Sequence, residues 1–174
     1  MKISATAIKE LRDITCASIT HCKKALEDAK GDIKEAAILL RKRGLEIAAK
    51  KQSRSAKEGR VDAYIHHGNK IGVLLEVNCE SDFVARNEEF ARFTKDLAMQ
   101  IAATSPAYIK KEDVPEDILC HEKSKEDYYK NNCLLEQVFV KDPGLTIKDY
   151  LGSIVAKIGE NIVIRRFTRY KIGE

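Results

Sequence analysis

Apolar residues recur at helical spacing near both ends of the chain and alternate in between. Over residues 4–50 the spacing predicts three short helices. Ile8 and Leu11 share a face of the first, and Ile14 lies near its end. The second starts near Ser18 and carries Ile19, Cys22, Leu26 and Ala29 on one side. Gly31 stops it. Asp32 caps the third, with Glu35 at the reciprocal capping-box position. Ile33, Ala36, Ala37 and Leu40 form the third apolar face. The stretch AAKKQSRSAKEGR, residues 48–60, is charged and poor in large apolar side chains. It reads as an exposed linker, helical at its start.

A hairpin is predicted next. Val61, Ala63 and Ile65 alternate with Asp62, Tyr64 and His66, and Gly68-Asn69 is a favoured two-residue turn. Ile71, Val73, Leu75, Val77 and Cys79 then line one face of a second strand. Asn87 is the expected N-cap of a helix whose stripe is Phe90, Phe93, Leu97 and Ile101. Residues 105–133 show no clear period, and Pro106 and Pro115 break them. LLEQVFV, residues 134–140, reads as a strand closed by Pro143-Gly144. Thr146 caps a strongly apolar helix with Asp149 at the box position, and Gly159 ends it. Residues 161–172 read as a final strand, rich in β-branched and aromatic side chains. No internal repeat is found. The expected fold is α+β: a three-helix N-terminal domain at 1–47, a charged linker at 48–60, and an α+β core with an antiparallel sheet at 61–174.

Charge alters this picture in one place. The net charge of the 174-residue chain is +4, but residues 1–60 carry +7 and the remainder −3. A basic N-terminal third suits an acidic protein or nucleic-acid surface, or is simply a solvated helix face. Composition otherwise describes a soluble globular protein. No stretch is apolar for long enough to span a membrane. Charged residues Glu10, Arg12 and Asp13 interrupt any signal-peptide core, so a cytoplasmic location is expected. The five cysteines are irregularly spaced without C-x-x-C, which suits reduced thiols.

Few residues invite chemistry. His66 and His67 are adjacent on a strand and point to opposite faces. Cys120-His121 and His21-Cys22 lack the paired spacing of a zinc site. Neither a Walker-type nor a dinucleotide-type glycine loop is present. Cys79 falls on an apolar strand face, where a buried inert thiol is the better reading than a nucleophile. No metal, cofactor or covalent catalysis is expected. The basic runs at 41–44 and 48–51 lack interleaved aromatics, so specific nucleic-acid binding is not expected. One oddity remains at NCESDFVARNEEF, residues 78–90: Phe83 stands beside Asp82 at a strand–helix junction. Periodicity alone allows either a Phe tucked into its own core or a Phe presented to a partner.

Three segments decide the resemblance. LRDITCASITHCKKALEDAKGDIKEAAILLRKRG (11–44), LEVNCESDFVARN (75–87) and IVAKIGENIVIRRF (154–167) resemble the elongation factor Ts family in order and spacing. The resemblance implies a ubiquitin-associated-like N-terminal module and a dimerisation-type α+β core. It implies a guanine-nucleotide exchange factor, not an enzyme of covalent chemistry, acting in translation elongation on elongation factor Tu. It implies that Asp82 and Phe83, flanked by Ser81 and Val84, form a tip that enters the partner's nucleotide-binding domain and disturbs the groups holding its Mg²⁺. Ile19, Thr20 and Lys23 are implied as a second contact. Ser81 stands where Thr is usual, and Ile19-Thr20 where two Met are usual. The chain has one core subdomain, like short forms that pair as homodimers, and the segment near 121–132 is shorter still. The alternatives are an RNA-binding, ribosome-associated module, suggested by the basic N-terminal third, and a binder of ubiquitin-like proteins, suggested by the three helices.

Overall fold

The computed structural model describes residues 3–15 and 17–174, so Cys16 of the cysteine reading lies outside the described residues. Backbone packing divides the chain into two units, Met1–Arg54 with Leu151–Asn161, and Ser55–Tyr150 with Ile162–Glu174.

The first unit begins with α1 (Ala5–Thr15), α2 (Ile19–Asp28) and α3 (Ile33–Lys51). Leu11, Cys22, Ala25, Leu26 and Ala36 are buried together, with Ile8, Ile33 and Leu40 packed around them. Ile14 and Ile19, which share the helical spacing, stay exposed. The caps are those the sequence indicates. Ser18 Oγ accepts from His21 N–H, and Asp32 Oδ1 accepts from Lys34 N–H at 2.8 Å and Glu35 N–H at 3.0 Å. Helix α3 runs through to Lys51, so the start of the charged 48–60 stretch is helical.

The unit is completed by the later part of α8 (Ile147–Ile158). Gly44 of α3 and Gly152 of α8 meet backbone to backbone. A Cβ on Gly44 would lie 3.2 Å from the Gly152 carbonyl oxygen. Lys51 Nζ donates to Gly159 O at 2.6 Å, and Asn161 Nδ2 to Arg54 O at 2.8 Å, tying the segment that follows α8 to the end of α3.

The second unit is built on an antiparallel sheet of β1 (Glu58–Ile65), β2 (Ile71–Cys79) and β5 (Val163–Lys171), in the order β1-β2-β5. Val73, Leu75, Val77 and Cys79 are buried on its inner face. Helix α5 (Glu88–Thr104) packs across β1 and β2 and buries Phe90, Phe93, Leu97 and Ile101. Arg169 of β5 donates from Nε to the Ala102 carbonyl in the last turn of that helix, at 3.3 Å.

Strand β1 is turned the less usual way. Its register places Asp62 opposite Leu75 and Tyr64 opposite Val73, so its polar set faces inward. Thr94 of α5 donates its hydroxyl to Asp62, and Arg60 pairs with the same carboxylate at 2.9 Å. Val61, Ala63 and Ile65 therefore face outward, beside Leu74 and Tyr170, and form an open apolar sheet face.

The region without clear period forms short pieces: a 3₁₀ turn at Lys111–Asp113, α6 (Glu116–Leu119) and α7 (Lys125–Asn132). Val114, Leu119 and Cys133 form a small core there, with Tyr108, Tyr128 and Tyr129 packed on it. Burial, with Glu136 and Asp113 nearby, pushes the Cys133 thiol up to about 11.

The expected 134–140 strand is only partly a strand. Leu134–Glu136 is a 3₁₀ turn, and β3 is just Val138–Phe139, paired with β4 (Asp142–Thr146). The reason lies outside the segment. Leu134 N–H and Leu135 N–H donate to the Tyr108 and Ile109 carbonyls at 2.9 and 3.0 Å, so they are not free for a ladder with β4, and at the other end of the segment Gln100 of α5 donates to the Val138 carbonyl and accepts from Val140 N–H at 2.9 Å. Thr146 and Asp149 then form the expected reciprocal cap of α8.

Buried Asp96 pins this hairpin. Its carboxylate takes Lys141 Nζ at 2.6 Å and the Tyr150 hydroxyl at 2.9 Å, and the Tyr150 ring stacks on Phe139. Lys141→Met is expected to lower stability by about 1–2 kcal/mol. That is less than breaking a fully enclosed pair, because Lys141 is half exposed. Urea titration checks this. An unchanged midpoint would show that solvent replaces the ammonium.

Candidate functional site

Strand β2 ends at Cys79, and three residues later the chain has entered a helical turn. Ser81 is extended, at φ −129° and ψ 155°, and its Oγ accepts from Val84 N–H at 3.4 Å. It is the N-cap of α4 (Asp82–Ala85). A four-residue helix has little stability of its own, because it gains too few hydrogen bonds for the dihedrals it fixes. This one is held at both ends. Ala85 N–H donates to Ser81 O at 3.2 Å, and Asn87 N–H to Val84 O at 3.0 Å. Asn87 Oδ1 then caps α5 through Glu89 N–H at 2.8 Å. Helix α4 also packs against β1 and β2.

Phe83 sits on this turn with 83% of its surface exposed. It is not tucked into its own core, which removes the first of the two options left by periodicity. Ser81, Asp82 and Val84 are half-buried around it. Asp82 Oδ2 pairs with Arg86 Nη2 at 3.1 Å, one turn on. Sequence reasoning passed over Arg86, although its i,i+4 spacing from Asp82 was visible. It also missed a bond from beneath: the buried Cys79 thiol donates to Ser81 O at 3.1 Å. The turn therefore offers an apolar ring flanked by a carboxylate and backed by the sheet. Such a group is suited to insertion into a pocket.

Ile19, Thr20 and Lys23 all lie in the first half of α2, in the other unit, and all are exposed. Ile19 and Lys23 share a helix face, and Lys23 lies 3.9 Å from Glu27. Among the described residues no three His, Cys, Asp or Glu side chains gather as metal ligands, and no helix is long and apolar enough to cross a membrane.

A family model described as Elongation factor TS matches residues 1–127, and these include both α2 and the Phe83 turn. The chain belongs to the elongation factor Ts family. The proteins called elongation factor Ts from Caldanaerobacter subterraneus subsp. tengcongensis and Thermoanaerobacter pseudethanolicus are 51% and 50% identical to it, over 99% of this chain and 98% and 96% of theirs. The one from Geobacter sulfurreducens is 46% identical over 100% of this chain and 91% of its own. Similarity therefore extends past residue 127 through the whole second unit. Membership places the chain among the elongation factors of protein biosynthesis.

Proposed function

We propose that this member of the elongation factor Ts family is a guanine-nucleotide exchange factor acting in the cytoplasm on elongation factor Tu. One observation carries the proposal: Phe83 is exposed on a turn that is otherwise tied down on every side. In this reading Phe83 enters an apolar pocket of the partner's nucleotide-binding domain. Asp82 then competes for the groups that hold the partner's Mg²⁺. Ser81 and Val84 set the shape of the turn. The partner's affinity for GDP falls by the same factor by which GDP weakens binding of the exchange factor, as linkage requires.

Magnitudes require more than the tip. A thousandfold faster release needs about 4 kcal/mol of differential stabilisation. Burying one Phe supplies about 1.5–3 kcal/mol. The remainder falls to the ubiquitin-associated-like helices, residues 1–47, through Ile19, Thr20 and Lys23, and to the core, residues 61–174. The test is stopped-flow release of a fluorescent GDP from elongation factor Tu. The parent should accelerate release, and Asp82→Ala should retain only part of the effect. A folded parent that accelerates nothing would sink the reading and favour RNA binding by the basic N-terminal third.

The open sheet face supports a second element of the proposal, a homodimer. Val61, Ile65, Leu74 and Tyr170 are exposed on this face, beside the Glu76–Arg166 ion pair, and apolar side chains so placed are stable in water when a second sheet covers them. Leu74→Asp should shift the protein to monomer in sedimentation equilibrium. A parent that is already monomeric would refute the dimer without touching the exchange reading.

A further inference from the structure

We infer that Cys79 is a positioning residue for the Asp82-Phe83 turn, acting through its thiol hydrogen on the Ser81 carbonyl. The inference rests on the exchange reading for its functional half and on the free protein for its structural half.

The geometry is specific. Cys79 is the last residue of β2, faces inward with Val77 and Leu75, and is fully buried. A buried thiol at a strand end usually serves as a small apolar filler. This one has a directed partner: its Sγ lies 3.1 Å from Ser81 O. That oxygen also accepts Ala85 N–H at 3.2 Å, the bond that closes α4. One carbonyl thus receives a bond from the sheet core and the bond that makes the turn. The thiol fixes the direction of the carbonyl, the carbonyl fixes the first turn, and Phe83 and Asp82 ride on it. A turn too short to hold itself gains most from such a tether, because pre-ordering lowers the entropy cost of docking.

The hydrogen bond and the packing of Cys79 are separable. Cys79→Val keeps an apolar side chain of similar size and removes the donor. Cys79→Ser keeps a donor and sacrifices apolar packing. A packing role alone predicts that activity follows stability, with Val at or above Ser. The positioning role predicts the reverse order in activity, with Ser above Val, even where the thermal midpoint favours Val.

Two measurements decide between these. The first is amide hydrogen exchange at Ala85 in the free protein. It should be about three- to tenfold faster in Cys79→Val and near the parent rate in Cys79→Ser, as loss of one modest hydrogen bond implies. The second is GDP release from elongation factor Tu at saturating factor, where Cys79→Val should lose about three- to tenfold of the acceleration and Cys79→Ser should recover most of it. Parent-like Ala85 exchange and parent-like release in Cys79→Val overturn the inference. If the parent itself fails to release GDP, the exchange reading falls. Ala85 exchange still settles whether the thiol holds the turn.

Discussion

Phe83→Ala is expected to slow factor-stimulated GDP release by about 10- to 100-fold while leaving the thermal midpoint of the free protein unchanged. The range follows from the transfer free energy of one Phe side chain, about 1.5–3 kcal/mol, at tenfold per 1.4 kcal/mol. The unchanged midpoint follows from exposure. A ring that is 83% accessible contributes almost nothing to the folded state that truncation could remove. This divergence makes the test informative. A core Phe such as Phe93, fully buried, should behave in the opposite way: its truncation should cost about 3–5 kcal/mol of stability. Phe83→Leu, which keeps most of the apolar volume, should fall between parent and Ala. Equal release by parent and Phe83→Ala, with folding intact, would remove the turn from the mechanism even if exchange itself were found.

Gly59→Ala is expected to destabilise the second unit by about 2–5 kcal/mol, from the strain of its backbone region and from overpacking combined. Gly59 lies in β1 at φ +148°, opposite Asn78. A Cβ there would strike the Val77 carbonyl oxygen and come within 2.7 Å of Asn78 Cα. Both are backbone atoms of the central strand and cannot swing aside. Gly68, at φ +89°, is the natural control, since a Cβ there meets no atom within 4 Å. Its replacement by Ala should cost only about 1 kcal/mol, the left-handed penalty alone. Urea titrations of both variants measure the difference. A Gly59→Ala midpoint equal to that of Gly68→Ala would show that β1 slides to make room. The clash sits one residue from Cys79 along β2, so a surviving Gly59→Ala fold should also loosen the Ser81 turn.

The helices were legible where two signals coincided. Asp32 with Glu35, Asn87 with the Phe90 stripe, and Thr146 with Asp149 each joined a cap to an apolar period, and each helix begins there. Alternation along β1 gave the period of the strand but not its side. The deciding partner of Asp62 is Thr94, on a helix that follows later in the chain. The 105–140 region was opaque for a related reason. Its order comes from Gln100, from buried Asp96 and from tyrosines around Cys133, all tertiary contacts without a period. At the candidate site the sequence singled out the Asp82-Phe83 junction and left Phe83 undecided between core and surface, and the structure places it on the surface. Exposure is set by what the neighbours bury, and the local pattern does not carry that information. Cys79 was legible as buried, but its hydrogen bond was not. A thiol's direction depends on how the chain bends after the strand.

The interleaved arrangement of the first unit has a consequence for synthesis. Residues Leu151–Asn161 belong with residues 1–54, so on the ribosome the basic helices emerge long before the segment that completes them. The Leu11–Leu26 cluster can assemble at once, since its members are close in sequence. The far half of α3 cannot, because Gly44 meets Gly152. At about 5–20 residues per second, the intervening hundred or so residues take roughly 5–20 seconds to appear. During that interval the far half of α3 lacks the helix against which Gly44 packs.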